Sequence, residues 1–162
     1  MTEKQTQHKC IVAIRIRGVI SASLDARETL RMLRLTKNNY AVLIDDRQSF
    51  LGMLSLVRDY VTYGEPSKET VTELIKQRGR LQGNKKLTED YVQKNGYDSL
   101  DALATAVFDC KVEYWKMPRI QVVFRLHPPT KGFKHSIKRG YASGGELGYR
   151  GEKIDELLKR MF

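Results

Sequence analysis

Residues 127–151, HPPTKGFKHSIKRGYASGGELGYRG, gather most of the groups in this chain that could do chemistry on a ligand. Lys131, Lys134, Lys138, Arg139 and Arg150 are suited to phosphate contacts, which depend on charge rather than on one fixed geometry. Interleaved with them, Phe133, His135, Tyr141 and Tyr149 can stack on exposed bases or pack against sugars. Pro128 and Pro129 stiffen the entry in an extended form and so reduce the entropy lost on binding. Gly132, Gly144, Gly145 and Gly148 allow close approach of the backbone to a ligand. This combination points to a folded polyanion of the RNA type. Phe133 and Tyr149 read equally well as anchors that pack the segment onto the body of the protein.

The charge distribution supports that reading. The 162 residues carry 29 Lys+Arg against 19 Asp+Glu, a formal net charge of +10. Residues 119–151 hold seven cations and one acid, Glu146, so this short stretch carries more than half of the excess. Residues 65–118 are neutral, with nine charges of each sign. Plain solubility would need neither the clustering nor the aromatics. Hydrophobic residues make up 41%, enough for a core without disulfides or metal. No run of apolar residues is long enough to span a membrane. The polar start, MTEKQTQHKC, gives the expectation of no secretory leader and a reducing, cytoplasmic setting.

Other chemistry is thin. Cys10 and Cys110 are 100 positions apart, and no third or fourth ligand joins the histidines at a zinc-like spacing. Asp45-Asp46 sits at a strand end before a helix, where carboxylates serve turns and helix N-termini. Gly144-Gly-Glu-Leu-Gly148 lacks the G-x-G core of a dinucleotide site. Neither a catalytic residue, a metal, a cofactor nor a small-molecule substrate is expected.

The elements that must position these groups follow from periodicity. Residues 10–17, CIVAIRIR, read as a strand with Cys10, Val12, Ile14 and Ile16 on the core side, and Arg15 and Arg17 projecting from the other. Asp25-Ala-Arg-Glu28 resembles a capping box that opens a helix to about Leu35, with Arg27, Arg31 and Arg34 along one basic face. Tyr40–Ile44 reads as a strand, Ser49–Arg58 as a helix capped by Ser49, and Tyr60–Tyr63 as a third strand. The order β-α-β-α-β predicts an α+β unit with two helices on one sheet face. Beyond it, Ser67 caps a helix ended by Gly79, and Lys76–Lys86 forms an exposed basic turn. Two shorter helices follow, at Thr88–Lys94 and Ser99–Phe108. Arg119–Leu126 alternates cleanly and predicts a fourth strand, with Arg125 pointing outward. Residues 127–151 are excluded from helix and from a central strand by their prolines and glycines, and the segment is expected to be mobile when free. The last residues, Ile154, Leu157, Leu158 and Met161, form an amphipathic helix.

Several motifs together resemble a known family. Arg125-Leu-His127-Pro-Pro-Thr-Lys-Gly132, Gly144-Gly-Glu-Leu-Gly148 and Ile154-Asp-Glu-Leu-Leu158 with Met161 are similar to the archaeal-type large-subunit ribosomal protein family numbered thirty in bacteria and archaea and seven in eukaryotes. Residues 10–18, Gly52-Met53 and Tyr63-Gly-Glu-Pro-Ser67 agree as well. The resemblance implies a ferredoxin-like β-α-β-α-β core at 1–64, a helical extension at 65–118, and a third part at 119–162 with the RNA-binding tail. It implies a non-catalytic structural role in the large subunit, on its 23S-type RNA and near the 5S RNA, beside neighbouring ribosomal proteins. It does not extend to the long basic arm that precedes the core in the eukaryotic form. Three rivals stand beside it: a stand-alone RNA-binding regulator on the same fold, an RNA-modifying enzyme, and a protein–protein adaptor that uses the neutral middle stretch and is compatible with RNA binding. An RNA-modifying enzyme would need a cofactor pocket that no glycine fingerprint announces.

Overall fold

All six residues of β1 (Cys10–Arg15) are buried, so this strand is covered on both sides. That is what a nearly continuous apolar run such as CIVAI demands. The computed structural model describes residues 7–162; the first six residues of the polar start lie outside the described residues. β2 (Tyr40–Asp45) and β3 (Val61–Gly64) flank β1, both antiparallel to it, with Ile14 opposite Ala41 on one side and Thr62 on the other. The helix α1 (Leu24–Met32) joins β1 to β2, and α2 (Gln48–Leu56) crosses from β2 to β3. This is the split β-α-β arrangement of a ferredoxin-like core.

Each sheet face has its own core. Leu30 and Leu33 of the first helical segment, with Leu54 and Val57 of the second, cover Ile11, Ala13, Val42 and Ile44. Across the sheet, Cys10, Val12, Ile14 and Leu43 meet the extension, made of α3 (Lys68–Arg78), α4 (Glu89–Lys94) and α5 (Leu100–Phe108), together with the terminal helix α6 (Ile154–Lys159). The two core helices thus lie on one face, and the extension fills the other. A short 3-10 turn, Tyr114–Lys116, supplies an aromatic to each side: Tyr114 stacks on Phe124 at 5.1 Å, and Trp115 meets Phe50 edge-on at 5.2 Å. Arg47 pins the turn to β2. Its guanidinium bonds Asp45 and Glu113 and lies 5.4 Å from both the Phe50 and Trp115 rings.

Both core helices begin earlier than expected. Ser23, not Asp25, caps α1, its hydroxyl accepting the Ala26 N–H at 3.3 Å. Arg47 rather than Ser49 precedes α2, without a side-chain cap. Ser67 and Gly79 bound α3 as the sequence predicts.

The third part joins the same sheet, whose order is β4-β2-β1-β3-β6-β5. β4 shrinks to Phe124–Arg125, paired with Ala41 and Tyr40. Its upstream half is taken by the extension: Gln121 N–H donates to the Arg80 carbonyl at 2.8 Å and Gln82 N–H to the Arg119 carbonyl at 2.9 Å. The exclusion of residues 127–151 from an interior strand is overturned. β6 (Gly145–Tyr149) lies between β3 and β5 (Ser136–Gly140), parallel to both. Its glycines are what admit it, since a Cβ on Gly145 would sit 2.0 Å from the Arg139 carbonyl oxygen. Strands this close leave no room for a side chain on that side.

Candidate nucleic-acid interface

The tail is tied down at both ends. At its start, His127 N–H donates to the Met161 carbonyl at 3.2 Å and Thr130 N–H to the Arg160 carbonyl at 2.8 Å. Arg160 answers with its guanidinium, which donates to the carbonyls of Thr130 and Gly132. Pro129 is buried there, Pro128 exposed. Phe133, partly buried, packs against the core, which makes it an anchor.

At its far end, Arg150 is 8% exposed and turned inward. Its Nε donates to Thr62 Oγ1 at 2.8 Å, and one terminal nitrogen donates to the Glu146 carbonyl at 2.7 Å and carboxylate at 2.5 Å. Glu146, 4% exposed, accepts the His135 N–H at 3.0 Å with its other oxygen. The half-buried Tyr141 ring lies 5.1 Å from the Arg150 guanidinium. Each partner of this pair is satisfied within the protein, so Arg150 is no phosphate ligand. Glu146 was the residue that sequence reasoning passed over. Its signal was present: it is the sole acid in a basic block, four positions before Arg150.

Between these anchors the tail projects. β5 is exposed along its whole length, presenting Lys138 and Arg139, and Lys131 is exposed at the entry turn. Lys134 pairs instead with Glu156 of α6, holding that carboxyl below the usual carboxylate range. His135 is exposed. Tyr149 is 54% exposed, its hydroxyl donating to Glu65 at 2.7 Å and its ring 5.7 Å from Tyr63. Gly132, Gly144 and Gly148 all take positive φ.

The N-terminal arginines do not form one row. Arg15 is 6% exposed, its guanidinium donating to the carbonyls of Arg17 and Leu35. It closes the end of the sheet and offers nothing to a ligand. Arg17 is half-buried over Tyr60 and donates to the Asp59 carbonyl. Arg27 bends back to the Ile20 carbonyl at 2.7 Å, while Arg31, with Glu28 at 3.3 Å, and Arg34 face a groove that Arg125 also lines. Arg34 lies past the end of α1, so the expected helical spacing stops at Arg31.

The thiols are not nucleophiles. Burial pushes Cys110 up to about 11 and Cys10 higher still, with Cys110 and Asp45 adding to the shift at Cys10. Both are protonated at neutral pH. Among the described residues no three His, Cys, Asp or Glu side chains gather as a metal site would require.

A ferredoxin-like sheet with cationic loops at its edges defines a polyanion-binding scaffold. The chain belongs to the ribosomal protein L30p/L7e family, whose characteristic region matches residues 11–61. It is 45% identical over 148 residues to large ribosomal subunit protein uL30 of Methanopyrus kandleri, covering 90% of this chain and 99% of that protein. With uL30 of Archaeoglobus fulgidus it shares 47% identity over 149 residues, 91% of this chain and 97% of the relative. The Staphylothermus marinus protein of the same name is 46% identical over 154 residues, 91% and 95% of the two chains. Members of this family are structural components of the ribosome, not enzymes.

Proposed function

We propose that this protein is a structural constituent of the large ribosomal subunit that holds folded ribosomal RNA, of the 23S type and close to the 5S RNA, by neutralising phosphates. One observation carries the reading. Lys138 and Arg139 stand exposed on a projecting strand and Lys131 on the turn that enters it, with the root of the segment locked into the sheet, so the cations are held out at little entropic cost. Base edges of A-form RNA are hidden in a deep, narrow groove, so the contacts are with phosphates and 2′-hydroxyls. His135 and Tyr149 are placed to stack on unpaired bases. Lys134 and Arg150, spent on Glu156 and Glu146, contribute to the tail's shape.

Footprinting the purified protein on large-subunit RNA tests the proposal. Protection of defined RNA segments is expected, with affinity falling by roughly 10³–10⁵ between 50 and 200 mM salt if six to ten phosphates are met. An affinity indifferent to salt would sink it.

A further inference from the structure

We propose that a groove at the end of the sheet where β1 begins and β3 and β6 finish docks an extended segment of a neighbouring protein that carries lysines and arginines. The inference goes beyond the RNA-binding reading: the surface is a different one, its charge is opposite and its partner is a polypeptide. The groove has a volume of about 820 Å³, within the roughly 300–1,000 Å³ typical of ligand-binding clefts. Cys10 at the start of β1, Glu65 and Pro66 after β3, and Phe108 and Asp109 at the end of α5 wall it, and Glu152, beyond β6, closes it.

In a chain of net charge +10 this groove reverses the sign. Glu65, Asp109, Glu152 and Asp155 line it against one lysine, Lys9. His8, which also borders it, is held by Asp46 at 2.7 Å. Asp155 has a structural task, accepting the Ser67 N–H at 3.0 Å. The other three acids have none of comparable weight. Glu65 accepts the Tyr149 hydroxyl, and among the described residues neither Glu65 nor Glu152 forms an ion pair. Asp109 meets Lys111 at 3.2 Å, an exposed pair that contributes little. Asp109 is also the C-cap of α5, the end where the helix macrodipole favours a cation. The Tyr149 hydroxyl registers the field: its hydrogen bond to Glu65 raises it above its usual range, with burial next and the charges of Glu65 and Glu152 adding to the shift. Acids gathered without cations, one of them against its own helix, repel one another in the free protein, and a bound cationic chain relieves that repulsion.

Field and walls together select the occupant. Phosphates are repelled here, whereas Arg17, Arg125 and Arg34, the last at a left-handed φ of 62°, stand toward the opposite end of the sheet. The length of β1 separates the two ends by about 17 Å, twice the Debye length of roughly 8 Å at physiological salt, so the fields do not cancel. A divalent cation would need carboxylates converging on one point, and among the described residues no three such ligands gather. The acids are strung along the groove instead, beside an apolar wall of Pro66 and Phe108 that suits the aliphatic stems of lysine and arginine. In a particle built around RNA, such a surface turns the nucleic acid away and attracts the cationic arm of another protein.

Two measurements decide the matter. In the first, a fluorescein-labelled peptide of alternating lysine and alanine is titrated with the full chain at low salt and followed by anisotropy. E65Q/D109N/E152Q should weaken its binding roughly tenfold to a hundredfold, three exposed ion pairs being lost, while the melting temperature and the RNA footprint stay as in wild type. E73Q/E89Q/D90N makes the same change of charge at exposed positions outside the groove and should leave the peptide's affinity within about twofold. Equal weakening by both variants, or none by the first, overturns the proposal. The second measurement uses wild-type protein in assembled large subunits. Carbodiimide, which joins a carboxylate to a lysine amine with loss of water, should couple Glu65, Asp109 or Glu152 to lysines within one extended segment of another protein. Coupling that is absent or confined to this chain's own Lys9, Lys111 and Lys153 overturns the proposal. Loss of RNA protections in E65Q/D109N/E152Q does so too, because the groove would then belong to RNA. The peptide titration contains no RNA, so a wild type that fails to bind RNA would strike the RNA-binding reading alone.

Discussion

The root and the tip of the C-terminal tail come from one basic stretch of sequence yet obey opposite rules. At the root, Arg150 meets Glu146 inside the sheet, each less than a tenth exposed, with Thr62 and the Glu146 carbonyl completing the guanidinium's bonds. At the tip, Lys138 and Arg139 stand on an edge strand facing solvent. A buried cation needs a counter-charge or a set of hydrogen-bond acceptors; Arg15 finds carbonyls, whereas within this block Arg150 is the cation that an acid accompanies inward. The one acid of the block therefore decides which cation becomes architecture and which remain available.

Breaking the root should have the largest effect. Glu146→Ala leaves Arg150 buried without a counter-charge and should cost about 3–5 kcal/mol, read from the urea midpoint. Glu146→Leu combined with Arg150→Met should recover most of it. A loss below about 1 kcal/mol for the single change would mean that the pair is hydrated and the contrast with the tip false. Next comes the tip. Lys131, Lys138 and Arg139 changed together to Ala should weaken RNA binding about a hundredfold near 0.1 M salt, at about 1 kcal/mol for each phosphate left without its cation. The melting temperature should stay put; a large drop would make these residues structural. Gly145→Ala probes the join between root and tip, since its Cβ would collide with the Arg139 carbonyl. A destabilisation of about 1–3 kcal/mol is expected, with loss of amide protection in β5. Smallest is Arg34→Gly, which should stabilise the fold by up to about 1 kcal/mol, a rise of roughly 2–4 °C in Tm.

Local signals made the core legible. The apolar run at Cys10–Ile14, the cap at Ser67, the stop at Gly79 and the helix expected over Ser99–Phe108 are decided by neighbours in sequence, and the structure keeps them. Long-range competition hid the rest. The alternation at Arg119–Leu126 was real, with Ile120, Phe124 and Leu126 buried, but its first residues pair with the Arg80–Gln82 turn rather than with β2. The glycines of 144–148 argue against a strand by propensity, whereas here they permit two backbones to come close. Of the interface, the exposed cations Lys131, Lys138, Arg139 and Arg125 follow from composition. That Arg15 and Arg150 are engaged by carbonyls and a carboxylate follows only from the three-dimensional arrangement.

The parallel pairing of β3 with β6 also bears on how the chain is made. Thr62 and Gly148 are neighbours in the sheet but 86 positions apart in the chain. At translation rates of about 5–20 residues per second, the nascent β3 waits roughly 4–17 s for its partner. Throughout that interval its outer hydrogen-bonding row is bare, an open invitation to any other unfolded polypeptide nearby. A growing chain with this topology is most vulnerable between the emergence of its first third and the arrival of its last few dozen residues, and a chaperone would be of most use in that window.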